Sequence, residues 1–238
     1  MTKTPFLFKL RYTLRELYRH HGLKFPFVVL HRALVYAGRK IFGARTFELA
    51  GAKHNYEIHP FILDNERAVE IGLARSFLRD HSGDTLEVGN VLATYLSFPH
   101  DVVDKYEQGP GVLNEDIVTY APGKKYDAIV TLSTLEHVGW DEQPKDPAKL
   151  AAAIKQLKSL LKPGGAMLVT MPLGYNPNVD QMIGEHRLDL SELRFLKRCS
   201  ASNQWREATW EEVKDAKFND PYSCASAIVV GYQQGERS

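Results

Sequence analysis

The sequence has few cysteines and no long hydrophobic run. Cys199 and Cys224 are the two cysteines among 238 residues, and their spacing matches neither a disulfide framework nor a zinc site. The early apolar residues are interrupted by Lys9 and Arg11, whereas a membrane span needs about 20 mostly apolar residues. Repeats and low-complexity tracts are also absent. We therefore expect a cytoplasmic protein without a secretory signal or a membrane span.

Acidic residues are scarce in the first part of the chain. Residues 1–53 hold five Lys and six Arg against two Glu, a net charge of +9. Because the whole chain carries +1, the remainder carries −8. A basic segment on an acidic body indicates an anionic partner, or packing on its own body or on another subunit. The anionic partner would be the inner face of a membrane or a phosphate-bearing acceptor. Nucleic acid is disfavoured because no basic patch is interleaved with aromatic residues.

Two basic amphipathic helices are predicted in this segment. The first covers residues 6–20, and the second runs from about Pro26 to Phe42. The second helix sets apolar residues against basic ones at helical spacing: Leu30, Leu34 and Ile41 against Arg32, Arg39 and Lys40. Such helices either lie on anionic membranes or cover a catalytic domain with their apolar face. We favour the second interpretation, in which residues 1–62 form an N-terminal helical cap and residues 63–238 the main domain of one structural unit.

Five short runs of apolar residues end in polar residues. They are residues 84–90, 101–104, 113–117, 126–137 and 161–172. Continuous runs rich in β-branched residues are typical of strands in a parallel sheet, because both faces of such a sheet are covered. Ligands of these sheets bind just beyond the carboxyl ends of the strands, which is where the polar residues fall. The sequence therefore predicts an α/β protein with a ligand site along one edge of its sheet.

Helices and further strands are predicted around these runs. Asn65 is suited to cap a helix from Glu66 to Arg79, and Asp146 to cap a helix from Pro147 to Leu161. The glycines after Pro163 are expected to lead into a strand at Ala166–Met171. In the last part of the chain we expect strands at Leu193–Cys199 and Ala225–Tyr232, with a short helix or turn at Trp210–Ala216 between them.

The order of the strand-end motifs carries a family resemblance. Glu-Val-Gly, Val-Asp, Glu-Asp-Ile, Leu-Glu-His and Leu-Lys-Pro-Gly-Gly, in this order, resemble class I S-adenosylmethionine-dependent methyltransferases over residues 84–172, and more loosely to about residue 232. The resemblance implies a Rossmann-like sheet of seven mostly parallel strands, with strand seven antiparallel. Residues 65–70, 134–140 and 172–176 are similar to a branch found among surface-glycan methyltransferases.

The resemblance implies an enzyme that takes a methyl group from S-adenosylmethionine. The predicted activity is O-methylation of a sugar hydroxyl on a glycan or glycolipid precursor. A small-molecule or RNA methyltransferase is one alternative. A non-catalytic binding module or partner subunit is another, because Gly89 is alone in a loop where the family usually has two or three glycines.

Seven residues make up the predicted cofactor site: Glu87, Gly89, Asn90, Asp104, Asp116, Ile117 and Ser133. Glu87 and Gly89 are placed for the amino-acid end of the cofactor, because glycine permits close approach and a carboxylate accepts from an ammonium group. Asp104 lies 17 residues after Glu87, near the spacing of about 20 expected for the acid that binds ribose hydroxyls. By the resemblance, Asp116 accepts from the adenine amino group and Ile117 flanks the ring.

His137 is the first candidate for a general base, at the end of the fourth strand. An alcohol acceptor loses its proton as the new bond forms, and a positioned base contributes about 10²–10⁴-fold to such a rate. The alternative for His137 is a structural role; Glu136 either orients it or faces a helix. His186, in the insertion after strand five, is a second base candidate. With His137 or Glu136, Asp141 and Glu142 could hold a divalent cation, but solvated acids are the preferred interpretation, so no metal site is predicted.

These predictions share one geometric requirement. Glu87, Asp104, Asp116 and His137 must lie along a single edge of the sheet, where one crevice can serve them all. Tyr175, which follows strand five, is expected on the acceptor side of that crevice.

Overall fold

The computed structural model describes residues 25–42 and 45–236. Within them the helices are α1 (Phe25–Phe42), α2 (Arg67–Asp80), α3 (Leu92–Tyr95), α4 (Lys149–Ser159), α5 (Pro177–Gly184) and α6 (Trp210–Val213). The strands are β1 (Thr46–Leu49), β2 (Ala52–Asn55), β3 (Thr85–Val88), β4 (Asp101–Val103), β5 (Val112–Leu113), β6 (Tyr126–Leu132), β7 (Leu161–Pro172), β8 (Glu192–Arg198), β9 (Trp205–Ala208) and β10 (Ala227–Gln234). The helix predicted at residues 6–20 lies outside the described residues.

One large sheet carries the fold, in the order β5-β4-β3-β6-β7-β10-β8-β9. Strands β3 to β7 are mutually parallel. Strand β10 is antiparallel to both of its neighbours, β7 and β8. This confirms the Rossmann-like α/β fold with its antiparallel last strand. The predicted count of seven strands was wrong by one, because β9 adds an eighth at the edge. Its four residues contain no β-branched side chain, and Trp205 is the one residue of a type enriched in strands.

The parallel register places the ends of β3 to β6 along one edge. Glu87 lies between Val102 of β4 and Val130 of β6. Since parallel strands end at the same side of a sheet, the residues that follow β3, β4, β5 and β6 emerge together. We call this side the carboxyl edge.

Two hydrophobic layers cover the faces of the sheet. On one face, Ile129 and Met167 belong to a cluster with Ile154 of α4. On the other face, Val130 and Leu168 belong to a cluster that includes residues of α2. Neighbouring strand residues point to opposite faces, so β6 and β7 supply both layers. This is why their sequences read as continuous apolar runs.

The predicted helices are present with shifted ends. Asn65 accepts a hydrogen bond from the backbone N–H of Arg67 at 3.1 Å, and α2 begins there. Asp146 accepts from the N–H of Ala148 at 3.0 Å, one residue before α4. The expected start of β7 at Ala166 was wrong. The strand begins at Leu161, which pairs with Tyr126 across an irregular register.

Helix α1 and the hairpin of β1 and β2 precede the main domain. The hairpin falls within the segment predicted to connect the cap to that domain. Leu30, Leu34 and Ile41 of α1 are 57%, 64% and 75% exposed, although the cap interpretation assigns them to a covering face. The cap over the main domain stays a prediction, because residues 1–24 fall outside the described part of the chain.

Candidate functional site

The carboxyl edge collects most of the predicted site residues. Glu87 is in β3, while Gly89, Asp104 and Ser133 follow β3, β4 and β6 directly. His137 ends a 3-10 turn, Leu135–His137, after β6. Asp116 follows β5 by three residues. The parallel register therefore places these chain positions at one side of the sheet.

Glu87 is buried and bonded to the protein itself. Its carboxylate accepts from the backbone N–H groups of Leu92 and Ala93, the latter at 3.0 Å. It also contacts Nε2 of His100 at 2.8 Å, while Nδ1 of His100 lies 2.9 Å from the carbonyl oxygen of Phe98. With an acceptor at each nitrogen, the His100 ring carries both protons. Burial lowers the pKa of His100, but these hydrogen bonds outweigh burial and raise it. Glu87 thus holds the loop after β3 in shape.

Gly89 and Asn90 bring neighbouring loops close together. Gly89 has φ +83°, and a Cβ atom there would lie 2.1 Å from Oγ1 of Thr134. Only glycine permits this approach without a shift of the neighbouring loop. Asn90 donates from Nδ2 to Oε1 of Glu107 at 3.0 Å. The loop after β3 is therefore close to Thr134, which follows β6, and is bonded to Glu107, which follows β4.

Asp104 has one carboxylate oxygen bonded and one available. Its Oδ1 accepts from the backbone N–H groups of Tyr106 at 2.8 Å and Glu107 at 2.7 Å. Within residues 25–42 and 45–236, Oδ2 has no hydrogen-bond partner, and the side chain is partly exposed. The two backbone contacts fix the orientation of the carboxylate. An oriented, accessible acceptor suits a ligand hydroxyl group.

Asp116 belongs to a cluster of four charges. Its Oδ2 lies 2.6 Å from Nζ of Lys149 and 2.9 Å from Nζ of Lys105. Both lysines also contact Oε2 of Glu142, at 2.5 Å and 3.1 Å. Burial raises the pKa of Asp116, but the lysine contacts prevail and lower it to about 2. Ile117 is buried in the core beside this charge cluster. The predicted adenine contact stays a prediction, with Asp116 bound by two ammonium groups.

Ser133 lies against a buried glutamate of α2. It has φ +39°, a conformation uncommon outside glycine. Its Oγ donates to Oε1 of Glu70 at 2.5 Å, and Oγ1 of Thr170 donates to the same oxygen at 2.7 Å. Arg67 donates to the other oxygen at 2.9 Å and to the carbonyl of Leu132 at 2.8 Å. Helix α2 is thereby joined to the carboxyl ends of β6 and β7.

Three buried carboxylates surround the single guanidinium of Arg67. Glu66, Glu70 and Glu136 are 6%, 0% and 1% exposed, and together with Arg67 we call them the acid cluster. Oε2 of Glu136 is buried and has no hydrogen-bond partner among the described residues. Burial raises the pKa of Glu136 well above its usual range. Burial and the charge of Glu70 raise the pKa of Glu66 as well. The cluster therefore has more carboxylates than cations to neutralise them.

Replacing Glu136 by glutamine is expected to weaken the pH dependence of stability. A carboxyl group whose pKa is raised in the folded state stabilises the fold below the unfolded-state pKa, and this contribution is lost as the pH rises. The variant should therefore gain stability over the wild type as the pH increases from about 4.5 towards 8. Urea denaturation at several pH values measures this. Glu115→Gln, at an exposed position, is the control. Parallel curves for Glu136→Gln and wild type would contradict the expectation.

His137 has the arrangement of a general base with an orienting acid. Its Nδ1 lies 2.5 Å from Oδ2 of Asp141, and its Nε2 lies 3.5 Å from Oε1 of Glu136. Tyr175 packs edge-on against the imidazole at 4.8 Å and donates its hydroxyl to Asp141 at 2.7 Å. Burial raises the pKa of Asp141, but the contacts with His137 and Tyr175 outweigh it and lower the pKa. A base held by a carboxylate is a recurrent catalytic pairing.

The sequence analysis interpreted Asp141 as a solvated acid or, less favourably, as a metal ligand, and did not predict its contact with His137. The signal that could have identified its contact is its spacing of four residues from His137, which brings side chains together when the chain turns. Glu142, the other acid considered for a cation, contacts two lysines. Within residues 25–42 and 45–236, no group of three or more His, Cys, Asp or Glu side chains is arranged to hold a metal ion.

His186 is not brought together with His137. It is exposed, in the turn after α5. Asp189, three residues later, pairs with Lys158 at 2.8 Å. Lys158 is near the end of α4, which leads into the start of β7. The turn with His186 therefore lies towards the opposite side of the sheet from the carboxyl edge.

A cavity of about 640 Å³ lies in the antiparallel part of the structure, and none of the predicted site residues lines it. Its lining comes from β8, β9, α6 and residues 215–222, together with the start of β10. Phe218, beside the lining residue Lys217, contacts the ring of Tyr175 edge-on at 5.1 Å. The ring of Tyr175 is thereby in contact with the loop of residues 215–222, which lines part of the cavity.

The strand order defines a Rossmann-like α/β fold. No family model and no curated protein matches the chain. Among solved structures, it is similar to the N-methyltransferase NodS from Bradyrhizobium japonicum WM9, at 13% identity, 72% of this chain and 89% of that chain, with a TM-score of 0.46. It is also similar to a SAM-dependent methyltransferase from Archaeoglobus fulgidus, at 14% identity over 71% of this chain and 94% of that chain, with a TM-score of 0.43. A third similar structure is the sugar N-methyltransferase KedS8 from Streptoalloteichus, at 12% identity over 73% of this chain and 89% of that chain, with a TM-score of 0.37.

Within residues 25–42 and 45–236, no helix combines the length and apolar character that crossing a membrane requires.

Proposed function

We propose that this chain is an S-adenosylmethionine-dependent O-methyltransferase acting on a sugar hydroxyl of a glycan or glycolipid precursor. The observation that carries the proposal is the contact between His137 and Asp141 at the carboxyl edge. It provides a proton acceptor beside the strand ends where such folds bind their ligands. The similarity of residues 65–70, 134–140 and 172–176 to a surface-glycan branch supports a sugar as the acceptor.

The residues of the carboxyl edge fit a cationic, hydroxyl-bearing cofactor. Oδ2 of Asp104 is available for the ribose hydroxyls, and Gly89 lets the loop after β3 lie close to Thr134. The acid cluster lies at the same edge, joined to it by the contacts of Glu70 with Ser133 and Thr170, and carboxylates attract a cation. When bound, S-adenosylmethionine supplies a methyl group activated by its sulfonium. Glu87 supports this site indirectly, through the loop that begins α3.

The side chains around His137 suit an acceptor that must lose a proton. Asp141 occupies Nδ1 of His137, so the proton of the acceptor goes to Nε2 and the carboxylate stabilises the imidazolium. Tyr175 holds Asp141 in place. Methyl transfer is an in-line displacement in which fixing the two reactants supplies about 7–11 kcal/mol.

Calorimetry with S-adenosylmethionine and its demethylated product tests the cofactor assignment. The wild type should bind both, and Asp104→Ala should bind them about 10- to 100-fold more weakly, the effect of losing hydrogen bonds to a charged group. Asp80→Ala, at an exposed position near the end of α2, is the control and should bind like the wild type. Absence of binding by the wild-type protein would end the proposal.

An amine acceptor is the second candidate. Oε2 of Glu136 is buried without a partner among the described residues, and such an oxygen can accept a hydrogen bond from an amino group. Mass spectrometry after incubation with matched sugars and amino sugars separates the two candidates. Methylation confined to nitrogen, and lost in Glu136→Gln, would favour the amine over the hydroxyl.

A further inference from the structure

Helix α1 exposes a continuous apolar stripe. Among the α1 side chains that the structure describes, seven are exposed and apolar: Pro26, Phe27, Leu30, Ala33, Leu34, Ala37 and Ile41. At 3.6 residues per turn they occupy an arc of about 120°, the width of a buried helix face. The stripe extends over about 22 Å of helix. Val29, Val35 and Tyr36, on the remaining surface, are partly covered.

The large side chains of the stripe are open to solvent. Phe27 is 74% exposed, Leu30 57%, Leu34 64% and Ile41 75%. Single exposed apolar residues are common, but contiguous apolar patches mark surfaces that contact a partner or a membrane. The helical spacing of these four residues makes them one patch.

The charge of the surrounding segment identifies the partner. Residues 1–53 carry a net charge of +9, and Lys40 is exposed beside the stripe. A second copy of the chain that packed stripe against stripe would bring two such segments together, and their like charges would repel. An anionic lipid surface instead attracts basic residues while its acyl boundary accepts apolar ones.

We propose that α1 lies flat on an anionic phospholipid bilayer, with the stripe of Phe27, Leu30, Leu34 and Ile41 inserted at the acyl boundary. Insertion requires apolar side chains on one face, and attraction requires positive charge around them. Both features are present in α1 and the adjoining sequence. The inference concerns attachment alone and is independent of the methyl-transfer activity.

Vesicle co-sedimentation of the full chain tests the inference. Vesicles of phosphatidylcholine alone are compared with vesicles that also contain phosphatidylglycerol, at low and high salt. The wild type should bind the anionic vesicles, and binding should weaken as salt screens the charges. Leu34→Asp should bind about 10- to 100-fold more weakly, the factor that corresponds to burying one leucine side chain.

Ala151→Asp is the matched control, because it adds the same charge at an exposed position of α4. It should bind vesicles like the wild type. Circular dichroism confirms that the variants are folded, and Ile41→Asp replaces Leu34→Asp if the latter is not. Wild-type binding that is absent, equal on both vesicle types, or unchanged by these substitutions overturns the inference. So does a dimer, seen by light scattering without vesicle binding, that Leu34→Asp dissociates.

Discussion

His137→Ala is expected to slow methyl transfer by about 10²–10⁴-fold, the usual contribution of a positioned general base. The affinity for S-adenosylmethionine should change little, because the contacts of His137 are with Asp141, Glu136 and Tyr175. Single-turnover rates measure the chemical step, and calorimetry measures cofactor binding. The effect is large because the substitution removes the proton acceptor and leaves Asp141 without its imidazole partner.

His186→Ala is the control for the His137→Ala variant. His186 lies in an exposed turn beyond α5, so its loss should leave the rate nearly unchanged. Asp141→Asn should reduce the rate and change its pH profile, because the amide cannot stabilise the imidazolium as a carboxylate does. Near-full turnover by His137→Ala would remove the base assignment and leave the fold untouched.

Arg67→Ala is expected to destabilise the protein by about 3–5 kcal/mol at neutral pH, the cost of removing one partner from a buried charge pair. Glu70 would then lose its ion-pair partner, and Glu66 and Glu136 would lose a neighbouring positive charge. The destabilisation by Arg67→Ala should be smaller in acid, because protonated carboxyl groups are neutral and need no cation. Urea denaturation at pH 5 and pH 8 measures the difference.

Arg79→Ala provides the control for this substitution. Arg79 is 72% exposed and pairs with Asp80 at 3.1 Å, and such surface pairs contribute about 0–1 kcal/mol. Its effect should be small and nearly independent of pH. An Arg67→Ala variant as stable as Arg79→Ala would show that the acid cluster does not depend on its guanidinium.

Most of the fold could be predicted from local sequence. Each strand from β3 to β7 begins or ends near an apolar run that was identified as a strand. The prediction was wrong where the local signal was weak or misleading. Strand β9 is short and partly exposed, and the glycines after Pro163 indicated a turn although β7 runs through them.

The site could be predicted less completely. Strand ends are local features, so the positions of Asp104 and His137 at one edge followed from the pattern of runs. The partners of these residues are not local. Glu70 meets Thr170 across 100 residues of sequence, and Asp116 meets Lys149 across 33. No spacing rule predicts such contacts, which arise only when helices pack on the sheet.

Strand β10 lies between β7 and β8 although it follows both in the chain. During synthesis, the hairpin of β8 and β9 therefore emerges before the strand that attaches it to the rest of the sheet. One side of β7 stays open over the same interval. The sheet is completed only once residues 227–234 are available, so its assembly proceeds from the parallel half to the antiparallel half.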